Sequence, residues 1–173
     1  METIVIKKIG LSELEKLQKI GKQTFSETFA AINSEENMKQ YLTEKFSLEK
    51  LTDELTNSNS EFYFALLEEK IVGYLKVNFA AAQTELKDKN ALEIERIYVL
   101  KEHKGNKIGQ LLYEKALQVA QKSSLKYIWL GVWEENHGAL HFYKKNGFIA
   151  FDKHIFRLGD DEQTDLLMKL MLK

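Results

Sequence analysis

The chain has 173 residues, of which 44% are hydrophobic and 29% are charged, and its formal net charge is −1. This length allows one well-buried core, and the composition is that of a globular protein. A nearly neutral chain lacks the overall positive field that attracts nucleic acid, so we predict no nucleic-acid partner. The absence of cysteine excludes disulfides, thiolate metal sites and a cysteine nucleophile.

Hydropathy gives further expectations about the location of the protein. The segment METIVIKKIG contains no long apolar run, and no apolar window approaches the roughly 18 residues that a membrane span needs. We therefore expect no signal peptide, no membrane partner and a cytoplasmic location. The chain has no proline and no linker-like stretch, which predicts a single domain over residues 1–173.

The first third of the chain predicts one short strand followed by three helices. Residues 3–9 alternate between polar and apolar in the manner of a strand. Ser12, with Glu15 three residues later, has the pattern of a capping box and predicts the start of the first helix. Serine also suits the N-cap of the next two helices. The three predicted helices cover residues 12–31, 34–46 and 47–57.

The remainder predicts mainly strands, with two helices between them. In the strand over residues 91–99, we expect Glu93, Glu95, Ile97 and Val99 to share one face. The antiparallel hairpins and one crossover helix together predict an α/β fold with a mixed sheet. The predicted elements are a hairpin over 61–80 turning at 68–70, a polar loop over 80–90, helices over 107–122 and 137–145, a strand over 126–133, and final strands over 148–158 and 164–172.

The segment HKGNKIGQ, residues 103–110, joins a predicted strand to a predicted helix. Gly105 and Gly109 lie four residues apart among several basic side chains. One interpretation is a tight turn, and the other is a cradle in which free amides at the start of a helix bind phosphate. The segment fits neither the phosphate loop of ATPases nor the dinucleotide motif, so these two classes are disfavoured.

A second segment, WEENHGALHFYKKNGF, predicts a short helix whose Asn136, Ala139 and Tyr143 lie along one face. Asn136 is either only a helix cap or also a binding residue. Tyr143 is either a packing residue or a phenol that faces a site. Asn146 and Gly147 predict the end of this helix.

Together these segments resemble the GNAT superfamily of N-acetyltransferases over most of the chain. The family pattern L-x-V-x-x-x-N-x-x-A-x-x-F-Y-x-x-x-G-F is met in full between Leu130 and Phe148. The acetyl-CoA signature Q/R-x-x-G-x-G/A aligns with residues 104–109, where Lys104 replaces Gln or Arg. Lys107 stands in place of the first signature glycine, where a lysine is tolerable if its φ and ψ are ordinary, because the backbone amides bind the phosphate.

The resemblance implies a mostly antiparallel sheet of about seven strands flanked by helices, with a parallel pair splayed around the cofactor. It implies acetyl-CoA as the co-substrate and no metal. Lys145 is implied at the adenosine end, with a plain surface lysine as the alternative. The other implied cofactor-binding residues are Ile97, Tyr98 and Val99 for the pantetheine arm, Lys104, Gly105, Asn106, Lys107, Ile108, Gly109 and Gln110 for the pyrophosphate, and Asn136 and Tyr143 near the pantetheine.

The reaction requires a proton acceptor, because alkylamines have a pKa of about 10.4. Glu93 occupies a register where some members of the family carry a catalytic glutamate, and Glu95 is the second candidate. The alternative for each is an exposed carboxylate paired with Arg96 or Lys101. Tyr143 is expected to protonate the departing thiolate or to donate a hydrogen bond to it. Without a cysteine, direct attack in a ternary complex is the simpler route.

More narrowly, the chain is similar to the bacterial spermidine/spermine N-acetyltransferases of the Pai type. This implies a polyamine or a similar small amine as acceptor, under a roof of aromatic residues on the first helices: Phe25, Phe29, Tyr41 and Phe46. Acidic residues that either line the acceptor groove or face solvent are Glu27, Glu35 and Glu36. The alternatives are a protein or peptide N-acetyltransferase and a CoA-binding regulatory module with little turnover. The oligomeric state stays open, and a homodimer is one possibility.

Overall fold

A computed structural model describes residues 3–173, which form one seven-stranded sheet in the order β1-β2-β3-β4-β5-β7-β6. Among these strands β4 and β5 pair in parallel, and the other neighbours pair antiparallel. The predicted mixed sheet is therefore confirmed. The strands are β1 (Ile4–Ile9), β2 (Ser60–Leu67), β3 (Lys70–Phe79), β4 (Ala91–Val99), β5 (Tyr127–Trp133), β6 (Ile149–Leu158) and β7 (Asp161–Met171).

In the described part of the chain five α-helices flank the sheet, and α4 is the crossover between the parallel strands. The helices are α1 (Leu14–Phe29), α2 (Glu35–Lys45), α3 (Leu48–Thr56), α4 (Ile108–Lys122) and α5 (His137–Lys145). Among the described residues, every helix is too short or too polar to cross a bilayer.

The predicted serine caps are correct for two of the three N-terminal helices. The Ser34 hydroxyl accepts a 3.0 Å hydrogen bond from the Asn37 amide, and the Ser47 hydroxyl accepts one of 3.0 Å from the Lys50 amide. The capping box at Ser12 is wrong. Ser12 lies inside a 3₁₀ turn over Leu11–Glu13, so α1 begins at Leu14 without a side-chain cap.

Two apolar cores cover the two faces of the sheet. On one face, α4 and α5 pack on the sheet through residues such as Leu112 and Leu140. On the other face, α1, α2 and α3 pack through residues such as Phe25 and Leu51. Leu51 and Leu112 are 0% exposed, and burying one such side chain contributes about 1.5–3 kcal/mol. The two helical layers leave a cleft between them, as described below.

A β-bulge interrupts the pairing of β3 with β4. Lys76 lies opposite Arg96 and Val77 lies opposite Ile94, so Glu95 is an extra residue without its own partner on β3. Such an insertion shifts the alternation of side chains along the strand that carries it.

The bulge makes the predicted common face of β4 wrong. Ile97 and Val99 pack against the core beneath α4. Glu93 and Glu95 instead share the other face, because both carboxylates accept hydrogen bonds from the Asn78 amide group. Beyond Glu95, each side chain of β4 lies on the face opposite to the one that strict alternation predicts.

The turns differ modestly from the predicted ones. The β2–β3 hairpin turns at Glu68 and Glu69, and Lys70 already belongs to β3. The β6–β7 hairpin turns at Gly159 and Asp160 alone, so β7 begins three residues before the predicted position, 164. Gly159 has a φ of +62°, a conformation in which glycine avoids steric strain, and this permits the short turn.

Candidate active site

The parallel strands separate soon after they pair. Only residues 91–94 of β4 pair with residues 127–130 of β5. On its other edge β4 continues to pair with β3 as far as Val99, opposite Gly73. Within the described part of the chain, the β5-facing edge of residues 95–99 therefore has no strand neighbour, and its backbone groups are free to bind an extended ligand. This opening is the splayed parallel pair that the family resemblance implies.

The opening leads into a cleft of about 1810 Å³ that runs between the two helical layers. Glu93, Glu95 and every predicted cofactor residue except Asn106 line it. Asn106 is exposed outside the cleft. The Ile108 side chain is only 1% exposed and belongs to the core, so its contribution to a ligand is limited to the main chain.

The start of α4 presents a run of free amides to the cleft. Within residues 3–173, no backbone or side-chain acceptor pairs with the amides from Gly105 to Gln110, and the first amide that bonds is Leu111, to the Lys107 carbonyl at 3.1 Å. A Cβ atom added at Gly109 would meet nothing within 4 Å. Packing of the protein does not require glycine at 109, so the open space is available to a ligand.

Two residues of this segment have a positive φ. Gly105 has a φ of +90°, so the tight-turn interpretation is correct for that residue. Lys107 has a φ of +63° and a ψ of +13°, the left-handed conformation. The condition of an ordinary backbone, under which a lysine is tolerable at this position, is therefore not met. The lysine keeps the conformation that a glycine would adopt freely, at a cost of roughly 1–2 kcal/mol.

Helix α5 places two predicted residues beside these amides. The Asn136 side-chain oxygen accepts a 3.2 Å hydrogen bond from the Ala139 amide, so the predicted cap is confirmed. Tyr143 is 6% exposed, and its ring packs against Phe142 and Phe148. Among the described residues its hydroxyl has no hydrogen-bond partner, and it lines the cleft.

Electrostatics keep this phenol protonated at neutral pH. Burial, with a smaller effect of Tyr98, raises the pKa of Tyr143 above its ordinary value. The hydroxyl is therefore available as a hydrogen-bond donor to a group in the cleft.

A pair of side-chain amides joins α4 to α5. Gln110 Nε2 donates to Asn146 Oδ1 at 3.1 Å, and Asn146 Nδ2 donates to Gln110 Oε1 at 3.2 Å. Asn146 Nδ2 also donates to the Phe142 carbonyl at 2.9 Å. Gln110 was predicted to bind the pyrophosphate through its main chain, and Asn146 was predicted only to end the helix. Their side-chain contact was not predicted, because no local pattern pairs residues so far apart in the sequence.

Glu93 lies in a network of uncharged donors. The side chain is 3% exposed, and it accepts hydrogen bonds from Asn78 Nδ2 at 2.9 Å, from the Thr84 amide at 2.8 Å and from the Thr84 hydroxyl. Burial raises the pKa of Glu93, although these hydrogen bonds lower it in part. The exposed, ion-paired alternative is wrong for this residue.

Glu95 belongs to a cluster of charges with Lys76, Arg96 and Glu54. Glu95 oxygens lie 2.7 Å from Lys76 Nζ and 3.3 Å from Arg96 Nη2, and Arg96 Nη1 lies 3.1 Å from Glu54. Burial alone would raise the pKa of Glu95, but the two cations outweigh it and lower the pKa to about 2. The expected pair with Arg96 is present, in a largely buried setting.

The four aromatic residues predicted as a roof line the cleft, whereas the three acidic candidates lie outside it. Phe25, Phe29, Tyr41 and Phe46 all line the cleft, and the rings of Phe25 and Tyr41 stack with centroids 4.3 Å apart. None of the three predicted acidic residues lines it. The Glu27 carboxylate accepts a 3.0 Å hydrogen bond from the Lys101 amide, Glu36 is exposed, and Glu35 borders a smaller, separate cavity.

Sequence analysis missed other charged residues of the cleft. Glu85, His154 and Asp165 line it on the side of β6 and β7. His154 Nδ1 lies 2.6 Å from a Glu85 oxygen. Asp165 lies directly across from His154 on the neighbouring strand. For His154 and Asp165 the available signal was a polar residue within a strand, whereas Glu85 lies in the polar loop before β4.

Comparison with known proteins agrees with this geometry. An uncharacterized N-acetyltransferase of Lactobacillus delbrueckii subsp. lactis is 38% identical over 172 residues, 99% of each chain. The spermidine N(1)-acetyltransferase of Thermoplasma acidophilum is 28% identical over 171 residues, 96% of each chain. The crystal structure of PaiA N-acetyltransferase from Thermoplasma acidophilum in complex with coenzyme A has a TM-score of 0.82 at 28% identity, covering 98% of this chain and 99% of that one.

The fold also occurs in more distant proteins. A probable acetyltransferase from Staphylococcus epidermidis, 14% identical, has a TM-score of 0.78 over 99% of this chain and 100% of that one. The model of the acetyltransferase (GNAT) family matches residues 25–148, a segment that includes the free amides of α4 and the phenol of α5. This chain belongs to the GNAT family and is an N-acetyltransferase that uses acetyl-CoA.

Proposed function

We propose that this enzyme transfers the acetyl group of acetyl-CoA to a primary amine of a polyamine such as spermidine or spermine, or of a similar small amine. The observation that carries the proposal is the shape and chemistry of one end of the cleft, here called the acceptor half. It has aromatic walls, carboxylates and a closed end. Its lining includes Phe25, Phe29, Tyr41, Glu93, Trp133, Phe156 and Asp165.

The closed end favours a small acceptor over a polypeptide. The tip of the β6–β7 hairpin packs on α2, where Asn37 Nδ2 donates to Asp160 Oδ1 at 2.6 Å. The approach is so close that a Cβ at Gly159 would lie 2.2 Å from Asn37 Oδ1. Tyr41 and Phe156 continue this contact, with ring centroids 5.9 Å apart. A flexible amine fits such a space better than the end of a folded protein.

Aromatic walls and carboxylates are the groups that bind alkylammonium ions. Ring faces attract cations, and carboxylates pair with them. The charged cluster of Glu95, Lys76, Arg96 and Glu54 is internally balanced, because it has two cations and two anions. Glu93 and Asp165 are two further carboxylates that line the cleft without a Lys or Arg partner among the described residues, and Glu85 there pairs with His154. The similar spermidine acetyltransferase of Thermoplasma acidophilum supports the same acceptor class.

The other half of the cleft suits the donor. The free amides from Gly105 to Gln110 would hold the diphosphate, and the open edge of residues 97–99 would pair with the pantetheine arm. Asn136 would lie near the pantetheine, and exposed Lys145 at the adenosine end. Asn106 would contribute only its main chain.

Acetyl-CoA supplies a thioester whose acetyl carbon is open to attack by a neutral amine. The amine nitrogen bonds to that carbon in the ternary complex, and the chain has no cysteine to carry the acetyl group. The Tyr143 hydroxyl donates a proton or hydrogen bond to the departing sulfur. Glu93 and Glu95 stay candidates for the proton acceptor from the sequence pattern.

The test is a thiol-release assay with acetyl-CoA against spermidine, spermine, putrescine, an aminoglycoside and short peptides. We expect acceptor-dependent release with the highest kcat/KM for the polyamines. Preference for peptide N-termini would overturn the acceptor class in favour of protein acetylation. Thermal stabilisation by CoA without acceptor-dependent release would instead indicate a regulatory module.

A further inference from the structure

We propose that Asp165 binds the ammonium group of the acceptor and takes its proton during acetyl transfer. This inference rests on the proposed function and deepens it. Asp165 lies in β7, directly across from Trp133 of β5 on one side and His154 of β6 on the other. It lines the acceptor half of the cleft.

The position of Asp165 leaves room for a ligand beside its carboxylate. A Cβ atom added at Gly131 would lie 3.7 Å from Asp165 Oδ2 and 4.0 Å from Asp165 Cβ. The carboxylate therefore lies over the one residue of β5 that has no side chain, and Gly131 itself lines the cleft. The missing side chain leaves space for a small cation next to the carboxylate.

Aromatic rings line the same cleft as Asp165. The Trp133 ring lies 6.2 Å from that of Phe29, and Phe29 lies 6.1 Å from Phe156, measured between centroids. These three residues come from β5, α1 and β6, and all line the cleft. A carboxylate among aromatic faces is the arrangement that binds alkylammonium groups.

Asp165 is free of partners where the predicted glutamates are not. Among residues 3–173, no donor hydrogen-bonds to its carboxylate and no cation lies within ion-pair distance. Glu93 accepts hydrogen bonds from Asn78 and Thr84, and Glu95 is held between Lys76 and Arg96. An incoming amine would have to displace those partners, whereas Asp165 can receive it directly.

The electrostatic setting suits proton transfer. Burial raises the pKa of Asp165 to about 6, although His154 lowers it in part. The groups that face Asp165 are His154 from β6 and Tyr98 from β4, while β5 contributes the uncharged Trp133. Glu85 pairs with His154 at 2.6 Å. A proton acceptor with a pKa near the working pH is more effective than Glu95, whose pKa is about 2.

Acetyl transfer removes two protons from the acceptor nitrogen. One ammonium proton passes to Asp165 and from there to solvent, and the neutral nitrogen forms a bond to the acetyl carbon. The carbon–sulfur bond breaks, and the sulfur receives a proton from Tyr143. The nitrogen then returns a second proton to Tyr143. The products are the N-acetyl amide, the free thiol and one proton.

The experiment compares Asp165→Asn with Glu93→Gln, Glu95→Gln and a matched control, Asp152→Asn. Asp152 is an exposed carboxylate of β6 outside the cleft. We expect Asp165→Asn to lower kcat/KM for the acceptor about 100-fold or more, to abolish the acidic limb of the pH profile near pH 6 and to leave the Kd of CoA within about twofold. Asp165→Glu should restore part of the activity. Glu93→Gln should keep the acidic limb, and Asp152→Asn should match the wild type.

A second measurement does not depend on turnover. Because burial raises the pKa of Asp165 above its unfolded value, the ionised carboxylate costs stability at pH values above both. Asp165→Asn should therefore raise Tm at about pH 8, and the gain should disappear at about pH 4. A gain that is equal at both pH values would contradict the buried, titrating carboxylate.

The outcomes separate this inference from the proposed acceptor class. If polyamines fail but another amine of the panel is acetylated, the acceptor class is wrong and the variants are compared on that amine. If the acidic limb of the pH profile survives in Asp165→Asn, Asp165 is not the proton acceptor. The same conclusion follows if that limb disappears in Glu93→Gln. If no amine releases thiol, spermine binding is followed by the fluorescence of Trp133. The inference is then overturned if spermine binds equally to the wild type and to Asp165→Asn, or if it does not bind to the wild type.

Discussion

Glu95 and Arg96 are consecutive in the chain, yet their side chains pair on one face of the sheet, with Arg96 Nη2 3.3 Å from a Glu95 oxygen. The β-bulge opposite Lys76 and Val77 makes this possible, because it breaks the alternation between the two residues. The resulting charge cluster lies on the wall of the cleft. It binds the bulge to α3 through Glu54.

Stability should depend on pH through Glu95. Its pKa is about 2 in the folded chain against an ordinary 4.5, so its ionisation stabilises the fold above about pH 4.5, and the effect is lost as the pH falls towards 2. The difference between these two pKa values corresponds to about 3 kcal/mol in the free energy of unfolding. Between about pH 6 and pH 2, the wild type should lose that much more stability than Glu95→Gln, as measured by urea denaturation. Glu49→Gln, at an exposed position on α3, should follow the wild type. Parallel curves for wild type and Glu95→Gln would contradict the ion-pair account.

Replacing Tyr143 with phenylalanine should slow the chemistry and spare donor binding. The ring is packed while the hydroxyl has no partner among the described residues, so its loss leaves the fold intact. We expect kcat to fall by roughly 10²-fold or more, with the Kd of CoA within about twofold. Tyr113→Phe is the matched control, because Tyr113 is also buried, at 4% exposure, but does not line the cleft. Equal effects of the two substitutions on kcat, or loss of CoA affinity in Tyr143→Phe, would indicate a structural tyrosine.

Alanine at position 109 should separate folding from donor binding. A Cβ there meets no protein atom within 4 Å, and alanine stabilises a helix by about 1 kcal/mol relative to glycine. Gly109→Ala should therefore keep or raise Tm without ligand, while weakening CoA at least about tenfold by calorimetry, because the added methyl enters the space in front of the free amides. Unchanged CoA affinity would argue against binding at the start of α4.

Lys107 and Lys104 should respond oppositely to glycine. Lys107 has a φ of +63°, so glycine relieves strain and we expect a gain of about 1 kcal/mol in the free energy of unfolding. Lys104 has a φ of −65°, where glycine only adds flexibility to the unfolded chain and should cost about 0.5–1 kcal/mol. Urea denaturation of the two variants measures both changes. Equal losses would mean that Lys107 is not strained.

Local patterns predicted the elements well where short-range interactions decide them. Strand β4 and helix α5 have the predicted boundaries, because the Asn136 cap and the glycine at 147, with a φ of +96°, fix the ends of α5.

The bulge of β4 left a weak signal in the sequence. The strand's apolar core residues are Leu92, Ile94, Ile97 and Val99, with one step of three residues instead of two. Strict alternation, applied without regard to that step, gave the wrong face.

The proposed donor side was the more predictable part of the site, while on the acceptor side the prediction was limited to the aromatic residues of the first helices and the two glutamates of β4. On the donor side the proposed binding groups are backbone amides and one short helix, so a continuous sequence motif encodes them. The acceptor half depends on pairing between β5, β6 and β7, strands that are distant in sequence, and on the docking of α1 and α2. Asp165 could be proposed as a site residue only from the structure, which places it beside Gly131, Trp133 and His154.

The side-chain pair of Gln110 and Asn146 has a consequence for the choice of acyl donor. Gln110 belongs to the proposed diphosphate site, and Asn146 ends the helix that carries Tyr143. This contact links the proposed diphosphate site to the helix that carries Tyr143, so we expect the distance between them to vary little. We therefore expect thioesters with a shorter or longer arm than that of CoA to place their carbonyl away from Tyr143 and to be poorer donors.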